Sequence, residues 1–391
     1  MKKVLIVLAL AVLVTGCTPK EQAEDKNKLS GGVWISYSEM NTMLDSENGF
    51  ENEFQKVIEN CKELKIQNLY IHIRAFCDSL FQSDYYPLIE RAKKYDFDVF
   101  KFIVDECHKN NMKVHAWINP YRVSTATTNI DEISNTSPAY KWLKDDNKDN
   151  DRNVSFANGI YLNPSEQAVQ GLVIDGIREI VVKYDVDGIH FDDYFYPTTD
   201  SSFDKVSYEK YKSSAENPMS LEEWRRSNVN ALVSGCYNAI KYANEDIVFS
   251  ISPMASIENN YNNLYADVKH WVDKGYVDCI IPQLYFGFNY PDENFKFLNL
   301  LNDWKELVGT SDTELLIGLA NYKAVPELEA DKEEWQNNFD IVARQIEICK
   351  NDDKVSGFVL FSYSCVFGER EEYTKQKENI LEYLKSEDIN E

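Results

Sequence analysis

The chain has 391 residues and is poor in histidine (5), proline (11), glycine (15) and positive charge. Its 41 Lys and Arg stand against 65 Asp and Glu, a formal net charge of −24. That balance excludes a protein that grips nucleic acid through a basic face. Low glycine and proline exclude collagen-like and low-complexity chains. No Gly-rich phosphate loop, dinucleotide fingerprint, HExxH or other spaced metal set occurs, so no cofactor and no metal are expected. The eight cysteines include no CxxC and are widely spaced, which does not read as a disulfide scaffold or a zinc cluster.

The N-terminus carries the only targeting signal in the chain. Lys2 and Lys3 precede an apolar run of 11 residues, Val4 to Val14. A membrane-spanning helix needs about 20 residues, so the run reads as a signal h-region. It ends in Val14-Thr15-Gly16-Cys17, similar to a bacterial lipobox in which that cysteine is lipidated. The expectation is a signal peptide over 1–16 and lipid attachment at Cys17. A polar, aperiodic tether fills 17–30, and the protein is exported and anchored to the membrane facing outside the cytoplasm. The alternative is a cleaved secretory signal with an incidental cysteine. Cys61, Cys77, Cys107, Cys236, Cys279, Cys349 and Cys365 then remain and read as buried free thiols.

From residue 31 onward one rhythm repeats. Short β-rich runs lie at 32–37, 68–74, 113–118, 188–191, 247–252, 279–282, 315–319 and 357–361. Amphipathic stretches follow them at about 51–65, 97–111, 165–184, 220–243, 264–275, 293–308, 335–350 and 370–386. Asn163-Pro164-Ser165-Glu166 places turn and capping residues before apolar Val169, Leu172, Val173, Ile177 and Ile180 at helical spacing. Eight βα units in series predict one α/β domain over 31–391, a (β/α)8 TIM barrel, with a doubly wound open sheet as the alternative. Residues 119–164 and 192–219, after the third and fourth strands, form unusually long loops, within which 145–153 reads as mobile.

Barrel chemistry sits at the C-terminal strand ends. There the sequence places Glu39, His72, Arg74, His115, Trp117, Asn119, Arg122, His190, Asp192, Asp193, Gln283, Tyr285 and Tyr363. This mixture suits sugars, which offer hydroxyls to polar groups and flat C–H faces to aromatics. Glycosidic cleavage usually needs two acidic groups beside the scissile bond, and Asp192-Asp193 is the strongest such pair. Their proximity should raise one pKa, making an acid of that group while the other stays ionised. Strand parity puts His190 and Asp192 on one side, and Asp193 joins them only if the strand has ended. The histidines, Trp117, Tyr285 and Tyr363 also fit as barrel filling, and the arginines as salt-bridge scaffolding.

The stretches GVWIS (32–36), HAWINPYR (115–122), YLNP (161–164), YDVDGIHFDDYFYP (184–197), ISP (251–253) and IPQLY (281–285) resemble the glycosyl-hydrolase-like 10 family. The resemblance spans roughly residues 30–365. It implies a (β/α)8 glycosidase among exported bacterial proteins, many of them lipoproteins, and points to peptidoglycan strands stripped of stem peptides as substrate. The fourth strand is also similar to the D-G-x-D-x-D-x-E pattern of family 18 chitinases. His190 and Tyr194 replace an Asp and the acid Glu, so those roles do not transfer. Hexosaminidases with adjacent acidic residues are the better likeness.

The resulting expectation is hydrolysis of β-1,4 glycans containing N-acetylated amino sugars. Asp193 would protonate the leaving oxygen, and Asp192 would orient the acetamido group or stabilise positive charge at the anomeric carbon. His190, Gln283 and Tyr285 would position the sugar. Arg74, His115, Asn119 and Arg122 would bind hydroxyls or a lactyl carboxylate, and Trp117 would stack on a ring. The alternatives are a nucleophilic Asp192 with Glu39 or Glu258 as acid, a non-catalytic glycan-binding lipoprotein, and a glycosidase for another polysaccharide. A monomer is favoured, with oligomeric state left open.

Overall fold

The computed structural model describes residues 29–388, so the lipobox, Cys17 and nearly all of the tether lie outside the described residues. Eight parallel strands close into a barrel in strict sequence order. They are β1 (Ser30–Ile35), β2 (Asn68–Arg74), β3 (Lys113–Ile118), β4 (Gly188–Phe191), β5 (Val248–Ile251), β6 (Cys279–Ile280), β7 (Glu314–Ala320) and β8 (Gly357–Phe361). β8 pairs with β1 to complete the circle.

Helices cover the outside. In the helix Gln167–Lys183, Val169, Val173, Ile177 and Ile180 face the strands and are buried. Full burial of each such side chain contributes about 1.5–3 kcal/mol. This helix differs from its predicted start. Glu166 is its N-cap but makes no side-chain cap bond. Its carboxylate instead accepts from Arg152 Nε at 2.8 Å and Ser207 Oγ at 2.6 Å, joining the two long loops.

The first strand is shorter than its apolar pattern. It stops at Ile35 because Ser36 caps the helix Tyr37–Leu44, with Glu39 completing a capping box. The loop after β3 holds an antiparallel three-stranded sheet, with Ile160–Leu162 between Arg122–Ser124 and Val154–Phe156. Residues 145–153 carry local hydrogen bonds. Asp145 accepts from the Asn147 amide and from Asn150 Nδ2, and a 3-10 turn spans Asp151–Asn153.

The loop after β4 is pinned by a fully buried ion pair. Arg225 donates to both carboxylate oxygens of Asp204, at 2.9 and 2.6 Å, and to Tyr265 Oη at 3.0 Å. Of the seven described cysteines, all free thiols, six are buried and Cys365 is half-buried.

Alternate residues of each strand fill the lumen. Trp34, Tyr70, Trp117, Cys279, Ile281, Leu316 and Val359 form one buried cluster there. Glycines make room for the large rings. A Cβ on Gly188 would lie 2.1 Å from His115 Nδ1, and one on Gly318 would lie 2.9 Å from the Trp34 ring.

Candidate active site

Asp192 follows the last residue of β4 and is 3 % exposed. Its Oδ2 accepts from Trp117 Nε1 at 3.0 Å. Its Oδ1 accepts from Asn119 Nδ2 at 3.0 Å and from the Tyr194 amide at 3.2 Å. Asn119 is held in turn, since its Oδ1 accepts the Tyr121 and Arg122 amides. With the strand ended at Phe191, Asp193 turns into the same cleft. Gln283 Nε2 reaches its Oδ1 at 3.0 Å while also donating to the Ser252 carbonyl at 3.1 Å.

Both carboxyls are shifted in the same direction. Burial, and then the charge of Asp193, push Asp192 up to about 7, against the lowering effect of Trp117, the Tyr194 amide and Arg122. Burial raises Asp193 as well, with Gln283 and Arg122 opposing it. Asp192, at about 7, therefore holds a proton part of the time near neutral pH, and the charge of Asp193 links the two groups. Burial favours the proton on Asp192, and the hydrogen bonds favour it on Asp193. Every partner named on Asp192 is an N–H donor, so an added O–H there would face donors only. Asp193 meets one side-chain donor, Gln283, besides its own amide, and so has more room to hold a proton.

Tyr285 stands beside Asp193, half-buried and stacked on Phe361 at 5.6 Å, with Tyr322 edge-on. Across the mouth, Arg122 lies 4.0 Å from the Tyr194 ring centroid, and its charge lowers both aspartates. Tyr194 (48 % exposed) and Tyr37 (37 % exposed) are the open aromatic faces here. Tyr194 adjoins the aspartate pair in sequence, which was the signal available for it. Tyr37 was hidden by being read as strand.

The structure thus brings Asp192, Asp193, Asn119, Arg122, Trp117, Gln283 and Tyr285 together. The expected ring-stacking of Trp117 does not fit its surroundings. Its indole is 6 % exposed, lies flat on His72 with centroids 3.8 Å apart, and spends its N–H on Asp192.

His190 cannot position a sugar either. It is fully buried below Asp192, with Nε2 accepting from Trp34 Nε1 at 3.0 Å and Nδ1 bonded to Ser250 Oγ at 2.8 Å. An indole N–H only donates, so His190 is the neutral Nδ1–H tautomer, consistent with burial holding its pKa well below the usual value.

His115 belongs to a deeper layer, level with Gly188 at the start of β4. It stacks on Tyr70 at 4.5 Å and contacts Asn68 Oδ1 at 3.3 Å. Arg74 leaves the lumen at a register shift after His72. Its guanidinium lies 3.8 Å from the Tyr86 centroid and against Gly176 of the outer helix, away from the aspartates.

The alternative acids are also accounted for. Glu39 accepts from the Ser36 amide at 2.7 Å, Ser362 Oγ at 2.7 Å and the Ser364 amide at 2.6 Å, tying the first helix to the end of β8. Glu258 is exposed on the helix Ile257–Asn263 and lines a separate cavity that includes neither aspartate.

Comparison with known proteins agrees with this architecture. The chain is 30% identical over 365 residues to glycosyl hydrolase YngK of Bacillus subtilis (strain 168), covering 84% of this chain and 67% of YngK. It is 29% identical over 359 residues to glycosyl hydrolase DigH of Escherichia coli (strain K12), covering 84% of this chain and 78% of DigH. Among solved structures, the PgaB (BpsB) glycoside hydrolase domain from Bordetella bronchiseptica superposes with a TM-score of 0.62 at 11% identity, over 89% of this chain and 98% of that one. Alpha-L-fucosidase isoenzyme 2 from Paenibacillus thiaminolyticus gives 0.59 at 12% identity, over 92% of this chain and 49% of that one. At such identities these two structures speak to the fold alone. The family model for glycosyl hydrolase-like 10 matches residues 30–337, and the chain belongs to that family.

Proposed function

We propose that this protein is a glycoside hydrolase acting on β-1,4 glycans with N-acetylated amino sugars, and that peptidoglycan strands lacking stem peptides are its substrate. Family membership supports the reaction class. The observation that carries the site assignment is the unequal bonding of two adjacent carboxyls, with Asp192 enclosed by donors and Asp193 open on one side.

In this reading the proton held by the pair resides on Asp193 and passes to the glycosidic oxygen as the bond to the anomeric carbon breaks. The acetamido oxygen of the same sugar attacks that carbon from the opposite face. Asp192, whose charged form Trp117, Asn119 and the Tyr194 amide favour, uses its remaining acceptor capacity on the acetamido N–H or faces the positive charge that develops. Water then opens the cyclic intermediate, returning its proton to Asp193. Tyr285 and Gln283 border the sugar, Tyr194 and Tyr37 offer faces for flanking rings, and Arg122 pairs with a lactyl carboxylate.

Turnover of purified glycan strands by Asp193→Asn and Asp192→Asn tests the assignment. General acid catalysis contributes about 10²–10⁴-fold, so Asp193→Asn should lose that much on strands yet recover on aryl glycosides, whose leaving group needs no proton. Asp192→Asn should stay impaired on both. Full activity of either variant on strands overturns the assignment.

We further infer lipid attachment at Cys17 and an anchored, exported location. Fatty-acid labelling that persists in Cys17→Ser would contradict it.

A further inference from the structure

Phe76 borders two features of the molecule. Its ring meets Tyr37, edge-on at 5.2 Å, and Arg122, whose guanidinium carbon is 5.6 Å from the ring centroid. Arg122 is the cation that acts on both aspartates, so these contacts join Phe76 to the surroundings of Asp192 and Asp193. The other feature is a cavity of about 280 Å³ between the loop after β2 and the inserted sheet, lined by Phe76, Asp78, Val123, Ala126, Ile133 and Ser137 among others.

The cavity has ligand chemistry of its own. Its volume lies near the lower end of ligand pockets, about 300 Å³, and suits a single sugar ring. Phe76, Val123 and Ile133 give it an apolar lining that C–H faces or an acetyl methyl can cover. Ser137 is 3 % exposed, and its buried hydroxyl meets only the Cys77 thiol, a weak partner that leaves hydrogen-bonding capacity for a ligand. The Asp78 carboxylate receives the Phe76 amide at 3.4 Å, close to the limit of a hydrogen bond, which leaves acceptor capacity for hydroxyl or amide donors. Burial raises Asp78 to about 6, so it is mostly ionised at neutral pH and above.

We propose that this cavity is a distal glycan subsite, which takes one ring of a strand whose scissile bond lies at Asp192–Asp193 and uses Asp78 and Ser137 as its polar contacts. The proposal rests on the glycosidase reading and deepens it: the substrate is a chain long enough to pass Phe76, and recognition depends on length.

The test fills the cavity from its exposed rim. In an Asp193→Asn background, with and without Ala126→Trp, calorimetry measures affinity for β-1,4-linked N-acetylglucosamine oligomers of increasing length. The expected result is that Ala126→Trp leaves the shortest binding oligomer unchanged and weakens the longest roughly tenfold, or about 1.4 kcal/mol. Asp78→Asn, which keeps the side-chain shape, should also weaken only the long oligomers. Identical length dependence in all three proteins, with hydrolysis by the wild type intact, overturns the subsite alone. No binding at any length and no hydrolysis by the wild type overturns the glycosidase reading and the subsite with it.

Discussion

Trp117 Nε1 donates to Asp192 Oδ2 at 3.0 Å, so a residue of β3 fixes the carboxylate that follows β4. The donor favours the charged form and opposes the burial that pushes Asp192 up to about 7. Trp117→Phe removes the N–H while keeping an aromatic face on His72. The Asp192 pKa should then rise further, and the acid limb of the kcat/KM profile should move to higher pH. A hydrogen bond to a charged group contributes about 1.5–3 kcal/mol, so activity at pH 6 should fall roughly 10- to 100-fold. An unshifted acid limb would show that the indole does not govern Asp192.

Arg122 acts through its charge. It lowers both aspartates from the mouth of the cleft. Arg122→Met should therefore raise both, and the whole pH–activity profile should move to higher pH. If Arg122 also binds a lactyl carboxylate, KM should rise on muramic-acid-containing strands and not on N-acetylglucosamine oligomers. Initial rates across pH 4–9 on the two substrates read the effects separately.

Glu39 separates the single-cleft mechanism from the alternative with a distant acid. Its carboxylate receives two backbone amides and the Ser362 hydroxyl. Glu39→Gln disturbs that acceptor set and should lower the thermal midpoint. The folded variant should keep kcat within a few-fold of wild type. A loss of about 10²-fold or more in a variant shown to be folded would return Glu39 to the catalytic list.

The Arg225–Asp204 pair holds the loop that follows the aspartates, and both side chains are fully buried. Removing one partner of a buried pair costs about 3–5 kcal/mol, because the other charge is left uncompensated. Arg225→Met should show this loss in chemical denaturation. A change below about 1 kcal/mol, the range of exposed ion pairs, would mean that Asp204 finds another partner or takes up a proton.

Much of the architecture was legible in the chain. The runs at 68–74, 113–118, 188–191 and 357–361 coincide with β2, β3, β4 and β8, because strand periodicity and turn residues are local signals. The end of β1 was not legible, since an apolar alternation continues through Tyr37 and only the Ser36–Glu39 capping box ends it. The inserted sheet after β3 was missed for a related reason: strands of three residues are too short to show a period.

The sequence by itself determined the barrel, the position of Asp192 and Asp193 at a strand end, and the amino acids available around them. The tertiary structure decided which of those amino acids meet. Parity cannot tell a lumen depth from a mouth, so His115 and His190 looked like site residues until the register placed them below it. Parity also fails at a bulge, which sends Arg74 out to Tyr86. The division between an enclosed Asp192 and an open Asp193 depends on Trp117, Asn119 and Gln283, residues 73 to 90 positions away from their partners. Hydrogen bonds over that separation exist only once the barrel has closed.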